Sequence, residues 1–261
     1  MSGIVNSTGA KSGIIGTTVG SPSLNTNTAR NAGLVVKKAS AASVDIDADY
    51  LTVYDTNNVG VILNSINLTV NMGGASGANG LDTGSEAGST WYNFWVIYDG
   101  TITASLLSLS ATAPTMPSGY TYKKYIGAVY NGGGSDFENF HQMGNLANRN
   151  STNIGNIALT TPQTMDLSTK VPPAATFVNG RMYASRAGDY SSGYVYLAVD
   201  TDKLGELSLR YRDGHAGQDR NIWCPYYGVR LETAQTAYMW VNNTAVTGTL
   251  YVSGWGFDDI V

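Results

Sequence analysis

The stretch from Thr90 to Asn131 decides how this chain folds. It reads TWYNFWVIYDG (90–100), TITASLLSLSATAPTMPSG (101–119) and YTYKKYIGAVYN (120–131). Trp91 to Tyr98 is an almost unbroken aromatic and apolar run, of strand length and rich in strand formers. Asp99-Gly100 breaks it. Ala104 to Leu109 is a second apolar run, and Ala113 to Gly119, with Pro114 and Pro117, is punctuation. Tyr120 to Tyr130 is a third run, with Tyr122, Ile126 and Val129 among its bulky members. A strand bulky in both alternation classes is covered on both faces. Trp91–Tyr98 is therefore expected at the centre, with core on one side and another layer or another subunit on the other. The stretch holds no catalytic group.

The order WYNFWVIY, LLSLSATAPTMPSGYTYKKYIGAVYN resembles a module that recurs in tail-fibre and other appendage proteins of tailed bacteriophages. The resemblance implies a non-enzymatic virion protein, a tail-fibre or tail-associated component that works by assembly and by contact with the host surface. It implies assembly in the host cytoplasm, partnership with other virion proteins of tail or capsid, and a homotrimer. A head fibre or decoration protein on the capsid is the alternative position. A carbohydrate-binding module or glycan-active enzyme is the alternative of another class.

Composition agrees with a β protein. Of 261 residues, 43% are apolar and only 13% are charged, about half the usual charged share. The 31 Gly and 17 Tyr suit many turns and surfaces that pack on other subunits. A net charge of −4 and a pI near 5.0 disfavour nucleic acid, which wants a basic face. A single cysteine, Cys224, excludes an intrachain disulfide and a cysteine zinc cluster. The opening MSGIVNSTGAKSG has no charged or apolar signal region, and no apolar run reaches membrane-spanning length. A soluble chain made in a reducing compartment is expected, and the sequons at Asn6, Asn67, Asn150 and Asn242 read as chance.

The organisation expected is all-β: an extended N-terminal arm followed by two antiparallel β-sandwich, jelly-roll-like domains. The arm covers residues 1–42, the first sandwich 43–148 and the second 149–261. The arm lacks aromatic residues and cannot bury enough surface to fold alone. Within it Ser12, Gly13, Ile14, Ile15 and Gly16 are the candidate assembly contact, and this stretch resembles the short openings of phage tail and fibre proteins, where they would serve as attachment peptides. In the first sandwich, Val59–Asn71 alternates, with Ile62, Ile66, Leu68 and Val70 on one face. Gly73–Gly88 is a long glycine-rich loop without the Lys-Ser/Thr of a phosphate cradle. The Asn-rich segment Gly144–Gly155 is the expected boundary. Strands are then expected over Ala175–Ser185, Tyr194–Asp200, Glu206–Arg212, Tyr226–Glu232, Tyr238–Asn242 and Gly248–Trp255.

No catalytic, cofactor or metal site is assigned. Asp45, Asp47 and Asp49 lack the Gly and closing Glu of a calcium loop. Asp213, His215 and Asp219 share a polar loop without the spacing of a metal motif, and His141 reads as a structural histidine. No nucleophile elbow pairs with a histidine and an acid. The second half carries a heavy aromatic load, and aromatic-lined sheets stack on sugars. Trp223, Tyr226 and Tyr227, with Asp213 and His215, are therefore the candidate glycan or receptor contacts. Core and subunit packing is the competing reading, and only neighbouring Asn, Asp or Arg on a known face decides between them.

Overall fold

In a computed structural model, described for residues 31–185, 192–212 and 221–258, the chain is all-β, with no helix among those residues. The proposed contact Ser12–Gly16 and residues Asp213 and His215 lie outside the described residues. In chain order the strands are β1 (Val35–Lys38), β2 (Ser43–Tyr54), β3 (Gly60–Asn71), β4 (Thr90–Tyr98) and β5 (Thr103–Ser108). There follow β6 (Tyr122–Asn131), β7 (Phe140–Met143), β8 (Leu146–Ile157), β9 (Gln163–Asp166) and β10 (Phe177–Ser185). The last are β11 (Ser192–Ala198), β12 (Leu207–Arg212), β13 (Ile222–Arg230), β14 (Thr236–Val241) and β15 (Thr247–Gly256). They form an 11-stranded sheet and a 4-stranded sheet, and every strand pairing is antiparallel.

The large sheet folds over on itself in the first half. β7-β1-β2-β3 forms one layer and β6-β4-β5 the other, joined at the single pair Tyr54–Lys123. Phe94 stacks on Phe140 across the gap at 5.8 Å, and Tyr92 meets Phe137 edge-on at 6.2 Å. Gln142 reaches across to donate to the Ile126 carbonyl at 2.6 Å. β4 is buried along both faces, as its sequence requires. Tyr92, Phe94 and Val96 face the main core, while Trp95 and Ile97 pack with Ala104 and Leu106 under Met116 and Tyr120. The second cover is thus this chain's own segment 109–121, and no other subunit is needed there. Ser110 ties that segment down, accepting from the Trp95 indole through its carbonyl at 3.1 Å. Asp82 accepts from the Thr115 amide at 2.8 Å.

β3 departs from simple alternation. Leu63 is buried and Ile62 is 57% exposed, so Ile62 does not share a face with Ile66. Ser65 has φ of 53° and lies opposite Asp49, where neither residue pairs in the ladder. The kink at Ser65, with Asp49 unpaired opposite it, flips the alternation of both strands while the register continues.

The second half forms a four-on-four sandwich, β13-β10-β15-β8 facing β12-β11-β14-β9. Met182, Leu250, Val195, Leu209, Tyr211 and Met239 fill its interior. The expected boundary needs correction. Gly144–Gly155 is no linker: Leu146–Ile157 is a strand pairing with β7 and β15, so the sheet runs unbroken from one sandwich into the other. The turn between the sandwiches is Gly144-Asn145, where Gly144 has φ of 57°. The first sandwich also starts earlier than residue 43, because β1 sits between β2 and β7. One buried cluster spans both halves, with Trp91 edge-on to Trp255 at 5.4 Å and Tyr125 edge-on to Phe257 at 5.6 Å.

Candidate functional site

The outer surface of β13-β10-β15-β8 collects the side chains of interest. Residues directly opposite one another on antiparallel strands share a face. The pairings Trp223–Tyr183, Tyr183–Thr249 and Thr249–Asn156 therefore place these four in one row across the sheet. The pairings Pro225–Arg181, Arg181–Tyr251 and Tyr251–Asn153 place a second row beside it. The intervening positions Met182 and Leu250 are buried in the sandwich, which fixes both rows as outward. Trp223 is 63% exposed and has no ring partner among the described residues. Tyr183 and Tyr251 meet edge-on at 6.5 Å, and the Arg181 guanidinium lies over the Tyr251 ring at 4.6 Å. Thr249 Oγ1 donates to Asn156 Oδ1 at 2.8 Å. β13 is an edge strand, where Pro225 costs no interior ladder bond.

Of the aromatic candidates read from sequence, two are surface groups and one is not. Trp223 belongs to the outward rows. Tyr227 is 79% exposed, beyond a bulge in the β10–β13 pairing between Val178 and Gly180. Asn179, buried at that bulge, accepts from the Gly228 amide at 2.7 Å. Tyr226 is 2% exposed and cannot touch a ligand. Its hydroxyl donates to the Tyr251 carbonyl at 2.8 Å, and burial pushes its ionisation well above the ordinary tyrosine range. Adjacent residues of a strand point to opposite faces, which is why Tyr226 and Tyr227 separate. Arg181, Tyr183, Asn153 and Asn156 escaped the sequence reading. The alternation of Arg181 and Tyr183 with Met182 and Ala184 was the available signal.

A second aromatic group lies on the four-stranded sheet. Tyr194 stacks on Tyr196 at 5.8 Å, and Tyr196 on Trp240 at 5.2 Å. Arg210 lies over Tyr194 and Lys203 over Trp240. These ring faces are occupied by one another and by the two cations, and Trp240 is only 3% exposed. Trp255 is likewise buried, against Trp91. Both serve packing, whereas the Trp223 face is open.

The remaining candidates have ordinary places. Among the described residues no three His, Cys, Asp or Glu side chains converge on a metal-sized site. His141 is exposed on β7 and not embedded in aromatic packing. Asp45 accepts from Thr69 Oγ1 at 2.8 Å across β2 and β3. Asp258 pairs with Arg230, and Glu138 with Arg149 and Lys170. The glycine-rich loop is held by its own polar side chains: Asn79 Oδ1 accepts from the Ser105 amide at 3.0 Å, and Glu86 from Asn131 Nδ2 at 3.1 Å. Hydrogen bonds from Ser135 and Asn131 keep the Glu86 carboxyl below its usual range. No family model, curated protein or solved structure matches the chain.

Proposed function

We propose that this chain is a non-enzymatic structural component of a tailed-phage particle, from the tail fibre or a tail-associated appendage, which contacts a saccharide through the outer face of β13-β10-β15-β8. The contact reading is carried by one observation: an exposed indole, two further rings, a guanidinium and two amides stand in register on one outward sheet surface. Sugar C–H groups carry partial positive charge and pack on the negative faces of aromatic rings. Their hydroxyls both donate and accept, which suits Asn153 and Asn156. The phage reading rests on the module over residues 91–131. That module builds a doubly covered strand under a tied-down segment, a framework role in keeping with a structural protein. Self-association, as the trimer the resemblance implies, and attachment to other virion proteins belong to this proposal.

The test is binding of the full chain to a glycan array, with Trp223→Ala beside the parent and product analysis on every bound glycan. Binding that falls about tenfold or more in the variant, without cleavage, supports the reading. Binding unchanged in Trp223→Ala, or hydrolysis of the bound glycan, would overturn it.

A further inference from the structure

We propose that the saccharide taken by this face is anionic, a carboxylate-bearing sugar gripped by Arg181; the inference rests on the saccharide reading above. The chain as a whole carries −4, yet neither outward row contains an Asp or Glu. Arg181 is exposed and has no carboxylate within ion-pair reach among the described residues. Arg149 and Arg230, by contrast, each hold a carboxylate of this chain. Among the described residues, the Arg181 guanidinium lies against the Tyr251 ring, 4.6 Å from its centre. A ring face contacts the π system and takes no hydrogen-bond acceptor role for the whole fork of N–H donors. The donors therefore remain for a ligand, and a planar fork matches a carboxylate through two parallel bonds.

The ring also holds the guanidinium in place, so less freedom is lost when a carboxylate docks. With Trp223 on the neighbouring row, the surface offers a stacking plane beside a fixed cation. That is the shape of a pyranose carrying a carboxylate. A single-stranded nucleic acid would also use rings and cations, but it needs a run of positive charge along its backbone. Arg181 is the one cation in the two rows.

Calorimetric titration of the full chain with polygalacturonate, hyaluronan and polysialic acid, each beside its carboxyl-reduced form, tests this. At least one acidic polymer is expected to bind about tenfold or more tighter than its reduced form. That preference should vanish in Arg181→Gln and weaken at high salt. The exposed site keeps the variant folded, which its melting curve checks. Equal binding of acidic and reduced forms, or a preference retained in Arg181→Gln, overturns the anionic inference while leaving the saccharide reading in place. Failure of every polymer, acidic and reduced, removes both. Tighter binding of a single-stranded oligonucleotide than of any polymer overturns the inference in favour of nucleic acid.

Discussion

Tyr226 supports the outward face from beneath. Its ring passes under Gly180, where a Cβ would lie 2.5 Å from the Tyr226 hydroxyl and 1.9 Å from the Tyr251 carbonyl oxygen. Only glycine allows that approach, and the register of β10 shifts there against both neighbours. The hydroxyl bond to the Tyr251 carbonyl then sets the backbone of a residue that carries Arg181 on its ring. Burial raises the ionisation of Tyr226 above that of an unfolded tyrosine, about pH 10. The sign follows from linkage. A group with a raised folded pKa contributes stability that is full below the unfolded pKa and is lost as pH climbs past it. Tyr226→Phe should therefore be less stable than the parent by about 1 kcal/mol at neutral pH, through the lost hydrogen bond. Between about pH 9 and pH 11 it should lose stability less steeply than the parent. Urea unfolding across that range checks this, and parallel slopes would contradict it.

Segment 109–121 and strand β8 show opposite limits of reading elements from sequence. The double cover of β4 was legible, because apolar residues in both alternation classes admit no solvated face. What provides the second cover was not, since Met116 and Tyr120 sit among Ser, Thr and Pro with no period to mark them. The structure gives that role to the chain itself, and with it goes one reason to expect a partner subunit there. Met116→Ser with Tyr120→Ser should uncover Trp95 and Ile97, raise binding of a hydrophobic dye and promote self-association. Light scattering that stayed unchanged would contradict the assignment. In sequence, β8 reads as a boundary because it is polar and Asn-rich with no aromatic residue, and Asn and Gly are poor strand formers. It is a strand because β7 and β15 supply pairing on both sides, a long-range effect that local composition does not carry. The outward rows were half legible for a related reason. Aromatic residues announced a surface or a core, and only cross-strand register tells which of Trp223, Tyr226 and Tyr227 is which.

The two sandwiches form one body, through the β7–β8 pairing and the shared buried cluster around Trp91 and Trp255. The open aromatic face lies on strands of the second sandwich, outside residues 90–131 that carry the resemblance to phage appendages. On the proposed reading, framework and contact surface are separate parts of one chain. Exposed large apolar residues elsewhere, such as Val59, Ile102, Leu109 and Leu204, lie in turns or just beyond strand ends. Those isolated positions call for no special account. Covalent footprinting of the full chain, with and without the tightest-binding saccharide, reads the location of contact directly. The expected result is protection of Trp223, Tyr183 and Tyr251, with Tyr194 and Tyr196 on the other sheet unchanged. Protection of Tyr194 and Tyr196 instead, or no protection of Trp223 at saturating ligand, would contradict it.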